Sequence, residues 1–557
     1  MMQTFRTTLE QKIRERRQTF EEFAEYAETY AREHREPGTL SVRHLQRLAA
    51  GCRRSGQPLG PVRPATARLL EAIFGLSIDE LLAPPVYVPA VRAPAVAVRV
   101  MAVEPARQVP ELGGVDVRRV GTHFGDTGRS GAPTPFGWLD EHAGWIPDTS
   151  RRKVATRQAK LNLADVLDTH VRRSRVARTV IVDALSTYYG DRRDECGMYR
   201  VRCGDRVIST SVLTAPDWLD LACPITPDRD RLVLSEVEAG AGSSGGEFGT
   251  RNAVHRLAEA AALDVRIADA PLYRLLDVQV QPTGIRGTVG LVPFAEYALT
   301  MDLLESELVD AVAAGTTVRR GALPLRDWYL PDLASVLDVP NRLCAGGALA
   351  LCAVARPADP YRGEPDYALL VQQRSGHVLN AARRLSVIPK AFHQPLGDIR
   401  ADTRLGATLR RKMEGELFGR AEVDSAKGNQ RVAAPMHPGR LSGPMSWLTE
   451  DSRRMRMECT GFGLNLVSGN YEFASLIVIE DDEFWSRFGG DIEANWEASG
   501  LRVYSSLDGD LIDELVANES WSNEGLFAFL LGIRRLGEIG GNRVALPAIE
   551  SAAWSRG

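Results

Sequence analysis

"GDIRADTRLGATLRRKMEGELFG", residues 397–419, decides how the C-terminal half of the chain is read. It has the shape of a loop followed by a helix. A helix that gathers several carboxylates on one face can hold a divalent cation, which neutralises a diphosphate and activates water. Here Glu414 and Glu416 lie two residues apart, about 200° around a helix, so they do not share a face. Lys412 stands on the same segment. Its ammonium beside a cation in a dry pocket would cost on the order of several kcal/mol. The same ammonium can pair with a ligand phosphate as a point charge. The stretch therefore reads as a frame that binds rather than cleaves.

Its flanks are strand-like. "YALLVQQRSGHVLNAARRLSVIPKAFHQPLGD" (367–398) precedes it, and "FASLIVIEDDEFW" (473–485) follows. In this setting the stretch resembles the Nudix hydrolase signature, G-x5-E-x7-R-E-U-x-E-E-x-G-U, with U aliphatic. Gly397 takes the first position, Arg411 the arginine and Met413 the aliphatic one. Thr403, Lys412 and Gly415 stand where glutamates belong, and only Glu416 survives. Phe418 takes the place of the last glycine, displaced to Gly419. The resemblance covers roughly residues 340–500. It implies an α/β fold and ligand contacts at Lys390, Gly397, Arg411, Lys412 and Glu416. With three glutamates replaced, no catalytic residue, metal site or cofactor is expected, although an active hydrolase of a nucleoside-diphosphate compound stays open.

The composition is that of a globular protein: 557 residues, 44% hydrophobic and 25% charged. No stretch approaches the roughly 20 apolar residues of a membrane helix. The first twenty residues are polar and carry no secretory signal pattern. Seven scattered cysteines form no C-x-x-C pair, which fits a reducing, cytoplasmic setting better than a zinc or disulfide framework. The nine histidines form no H-x3-H pair.

The net charge of -4 hides a basic block. Residues 31–70 hold eight arginines against two acids, a pattern suited to a polyanion. Around it the spacing predicts short helices. Phe20, Phe23, Ala24, Ala27 and Ala31 keep helical period, and a later helix carries Ala67, Leu70, Ile73 and Phe74. "GTLSVRHLQRLAAG" (38–51) suggests a recognition helix capped at Ser41. Val42, Leu45, Leu48 and Ala49 face inward. Arg43, His44, Gln46 and Arg47 face outward, where such side chains read base edges, while Arg53, Arg54 and Arg63 suit phosphates. With "RPATARLLEAIFGLSIDELL" closing it, the segment resembles the XRE-type helix-turn-helix regulators common in actinobacteria. That resemblance implies double-stranded DNA as partner.

Six prolines between residues 84 and 110 mark a linker, and 121–148 reads as loop. "YRVRCGDRVISTSVLT" (199–214) reads as a hairpin turning at Gly204-Asp205. Gly240-x-Gly242-x-x-Gly245 follows no apolar strand and reads as a flexible loop ahead of a helix at 253–262. A long helix is expected at 293–313. The basic runs 149–160 and 171–178 read as solvated helix faces, and Trp218 as a packing residue.

The expected architecture is multidomain: an all-α helix-turn-helix domain (1–83), a Pro/Gly-rich linker (84–148), an α/β middle domain (149–290) and an α/β Nudix-like domain with a preceding helix (291–557). The expected function is a cytoplasmic, nucleoid-associated, DNA-binding transcriptional regulator. It would act as a homodimer without membrane contact and sense a nucleotide-like small molecule. A DNA-bound scaffold that uses the degenerate domain for dimerisation is the further alternative.

Overall fold

The computed structural model describes residues 134–551, apart from short segments at 191, 194, 237–245, 264, 266, 268–269, 361–362, 376–380, 420–435, 490–491 and 493–497. Before 134 it describes 7–15, 64–74, 77–83 and single positions between them. The chain divides into two compact units, Met1–Val115 and Asp116–Gly557.

In the first unit, helices Thr8–Glu15, Pro64–Phe74 and Ile78–Leu82 enclose a small apolar core. Leu9 and Ile13 meet Leu69, Leu70 and Leu81 there, together with Phe23, Leu45 and Leu48. Phe23 stacks on Phe74 at 5.1 Å. The Thr8 amide donates to the Ala83 carbonyl at 2.8 Å, which ties the first helix to the end of the last. The inward residues Leu45, Leu48 and Ala49 are buried as their spacing requires. Arg43, His44, Gln46, Arg47, Arg53, Arg54 and Arg63 lie outside the described residues.

The second unit is built on one twelve-stranded sheet. Its strands, with those of a smaller sheet, are β1 (Arg192–Arg193), β2 (Cys196–Cys203), β3 (Arg206–Thr214), β4 (Leu219–Pro224), β5 (Asp230–Leu234), β6 (Pro271–Gln281), β7 (Gly284–Pro293), β8 (Gly346–Arg356), β9 (Asp366–Arg374), β10 (Leu385–Val387), β11 (Lys390–Phe392), β12 (Met455–Asn465), β13 (Tyr471–Ile479), β14 (Ala498–Ser505) and β15 (Ile549–Ser551). The main path runs β1-β2-β3-β12-β13-β8-β9-β10, with β4, β11, β14 and β15 pairing off it. β5, β7 and β6 form the second sheet. β8 and β13 are parallel and buried along their whole length. Parallel central strands need cover on both faces, and period-2 alternation supplies it. Leu349, Leu351 and Ala353 of β8 join one core with Phe527, Phe529, Leu530 and Ile533 of helix Asn523–Ile539. Ala348, Ala350, Cys352 and Val354 join the opposite core with Leu405, Leu409 and Met413 of helix Leu405–Glu416.

The fold-class expectation is corrected in two respects. An all-α helix-turn-helix domain is not shown by the described residues of the first unit. The α/β middle and Nudix-like regions do not form separate sheets: β3 pairs with β12 (Leu464↔Leu213, Asn465↔Val212) and β4 also pairs with β12, so both segments build one mixed α/β sheet. The physical reason is edge pairing. The 199–214 hairpin forms as read, but its outer strand completes its hydrogen bonds with a strand some 250 residues away. Two local readings also change. Within the expected loop, Thr134 caps a helix, Pro135–His142, whose Phe136, Trp138 and Leu139 are buried. The expected 293–313 helix is two helices, Phe294–Ala298 and Leu303–Ala313. Trp218 packs edge-on against Phe462 at 5.0 Å.

Candidate functional site

Helix Leu405–Glu416 has no cap from its own flanking side chain. Its N-terminus is held from β5, where Asp230 Oδ2 accepts the Gly406 amide at 2.9 Å. Thr403 is buried, and its hydroxyl donates to the Leu232 carbonyl at 2.7 Å. The small sheet thus anchors the helix against the large one. A carboxylate at a helix N-terminus satisfies orphan amides and complements the macrodipole.

The preceding loop is closed by a carboxylate of the chain itself. Asp402 Oδ2 accepts the amides of Leu396, Gly397 and Asp398 at 2.9, 2.9 and 3.1 Å. Three successive amides converging on one point form an anion-binding nest. Arg411 braces this loop, donating to the Gln394 carbonyl at 2.9 Å and lying 3.8 Å from Asp402. Gly397 and Arg411 therefore belong to one arrangement, at the loop.

Lys390, Lys412 and Glu416 are brought together in another. The Lys390 amide donates to Glu416 Oε2 at 3.0 Å, and Lys412 Nζ lies 3.9 Å from Glu416 Oε1. Both Lys412 and Glu416 are buried. Glu414 turns away, as the helical geometry requires. Its two oxygens accept the amide and hydroxyl of Ser442.

From Lys390 the network runs deeper. Its ammonium donates to Glu524, in the first turn of helix Asn523–Ile539. Asn465 Nδ2 donates to Glu524 Oε2 at 3.3 Å and approaches Glu472 Oε1 at 3.5 Å. Glu305 accepts the Ala381 amide at 3.0 Å. Burial works against ionisation of Glu524, but the Lys390 ammonium outweighs it and holds this carboxyl below the ordinary value. Burial wins at Glu472, which is raised despite the pull of Lys390. Burial, reinforced by Asp302 and Glu524, pushes Glu305 up to about 7. One ammonium is thus shared among carboxyls whose proton affinities have been driven apart, an arrangement common at functional sites. Glu472, Glu524, Asn465 and Glu305 are absent from the sequence-level site. A lone acid inside the apolar "NYEFASLIVIE" and an acid directly after a Ser cap in "SNEGLFAFLL" were the available signals.

Among the described residues, no three His, Cys, Asp or Glu side chains gather as a metal site, and no helix is long and apolar enough to cross a membrane. No protein-family model and no curated protein matches the chain.

Proposed function

We propose that this chain is a cytoplasmic DNA-binding transcriptional regulator, acting as a homodimer, whose α/β unit holds a nucleotide-like ligand without cleaving it. The observation that carries the non-cleaving part is the use made of the helix acids. Glu414 is taken by Ser442 and Glu416 by Lys390, and Lys412 places a positive charge beside Glu416. Cation-assisted diphosphate cleavage needs carboxylates free to bind metal. Lys390 and Lys412 instead offer two cationic groups to a phosphate. The DNA-binding part is supported by the arginine-rich segment 31–70, which carries Arg43, Gln46 and Arg47 for base edges and Arg53 and Arg54 for phosphates.

Purified full-length protein with Mg²⁺ and a panel of nucleoside-diphosphate compounds tests the ligand part. A raised melting temperature without turnover is expected. Metal-dependent turnover abolished by Glu416→Gln overturns it and makes the chain a hydrolase. Genome-wide mapping of bound DNA tests the other part. On a mapped site, Arg47→Ala should lose about 1–3 kcal/mol and flatten base preference, while Arg54→Ala should weaken all sequences alike. Full affinity in both variants removes this segment as the reader.

A further inference from the structure

A cavity of about 320 Å³ opens in the second unit, where the end of helix Pro135–His142, the turn at Thr300 and Met301, the end of helix Pro324–Tyr329 and the segment Asn341–Leu343 meet. Its size falls at the small end of the range for ligand sites. Arg342 lines it and is only 9% exposed. Two of its nitrogens are fixed: Nε donates to the Val336 carbonyl at 2.9 Å and Nη1 to the Gly469 carbonyl at 2.6 Å. Nη2 is buried and has no hydrogen-bond partner, and no carboxylate forms an ion pair with this guanidinium among the described residues. A buried charged donor left unsatisfied is costly unless something else completes it. An oxyanion does so with the fork geometry that arginine favours.

The rest of the wall narrows the class. Trp328 lines the cavity and leaves 54% of its surface exposed, an unusual position for a large aromatic ring. Tyr329 follows it, and Met301 supplies a buried thioether. His142, stacked on Trp138 at 4.3 Å, is held below its ordinary proton affinity by burial and so presents a neutral ring at pH 7. Glu296 is the one acid of the lining, and the buried Arg274 attracts it from behind. The charge facing the cavity is therefore not dominated by the carboxylate.

We infer that this cavity is a binding site for a small molecule that joins a planar ring to an oxyanion, the oxyanion on Arg342 and the ring against Trp328. The site is distinct from the Lys390–Glu524 network and does not rest on the regulator reading. Two sources share this chemistry, a nucleoside monophosphate and an aromatic carboxylate.

The test is calorimetric titration of the full-length protein with adenosine monophosphate, adenosine, indole-3-acetate, indole and inorganic phosphate. At least one of the two ring-bearing anions should bind tenfold or more tightly than its neutral counterpart and than phosphate alone. Binding of the nucleotide alone identifies that source, and binding of the indole acid alone the other. Trp328→Ala, at an exposed position, should reduce that affinity at least tenfold with an unchanged melting temperature. Arg342→Lys should abolish the preference for the anion over its neutral counterpart. If Arg342→Lys does not fold, the Trp328→Ala result decides. No binding of either anion at 10-fold excess over millimolar protein, equal binding of charged and neutral probes, or undiminished affinity in Trp328→Ala overturns the inference.

Discussion

Replacing Lys390 by methionine isolates the charge on which the buried network depends. The side chain keeps its length and apolar stem, and the backbone amide that serves Glu416 is untouched. What disappears is the ammonium bonded to Glu524, in a pair whose side chains are only 15% and 7% exposed. Removing one partner of a buried pair leaves an uncompensated charge, at a cost of about 3–5 kcal/mol. The pH dependence should change sign. In the natural protein Glu524 lies below its ordinary value, so its contribution is present above the unfolded value and is lost as pH falls through the folded one. Without Lys390, burial alone governs this carboxyl and raises it. Its best contribution then lies below about pH 4.3 and fades as pH rises through the new folded value. The loss in Lys390→Met should therefore be larger at pH 8 than at pH 5, measured by urea unfolding of the full-length protein. Adding Glu524→Gln should recover most of it, since removing both partners leaves no orphan charge and the glutamine oxygen can still accept from Asn465. A loss under about 1 kcal/mol, equal at both pH values, would refute the claim that this ammonium holds the network.

Three further outcomes follow from the same coordinates. Glu305 is raised to about 7, so it stabilises fully only below the ordinary carboxylate value, and that contribution is lost as pH rises through 7. Glu305→Gln should therefore gain on the natural protein in melting temperature between pH 5 and pH 8, and a pH-independent difference would remove Glu305 from the network. Gly347→Ala would place a methyl group 1.8 Å from the Ala391 carbonyl oxygen, where β11 crosses the start of β8. A lowered melting temperature is expected, and an unchanged one would show that these strands can part without loss. Thr403→Glu, which restores one signature glutamate, would bury a carboxylate where a hydroxyl now bonds Leu232. It should destabilise by about 1–3 kcal/mol rather than create a metal site, and Mg²⁺-dependent stabilisation of this variant would contradict that.

Local pattern carried much of the fold. The alternation in "GALALCAVA" and "ASLIVIE" places successive side chains in opposite cores, and the hairpin turns at Gly204, whose φ of +56° suits glycine. What local pattern could not carry is partnership. Nothing around Leu213 names Leu464 as its neighbour, and nothing around Leu405 names Asp230 as its cap. The break in the 293–313 helix has the same origin. Apolar spacing continues through "ALTMDLL", but Asp302 is drawn into the interior by Arg256, and the Tyr297 carbonyl closes a turn by accepting both Thr300 and Asp302 amides.

The site was half legible for a reason that bears on its chemistry. Lys390, Lys412 and Glu416 could be picked out because a known spacing singles out 412 and 416. Glu524 and Glu472 follow from no spacing, since they arrive from other strands and helices. Together they give a physical account of the lysine. Two glutamates at 412 and 416, one helical turn apart, would repel each other unless a cation lay between them. Lys412 Nζ instead stands 3.9 Å from Glu416, and Lys390 brings a second ammonium to Glu524. The positive charge that a bound cation would supply to such carboxylates is thus carried by the chain. A frame whose acids are neutralised from within stays folded without metal, and it leaves two ammonium groups beside carboxyls whose protonation changes near neutral pH. Such a network can change its charge state when an anionic ligand arrives, and it needs no bond cleavage to do so.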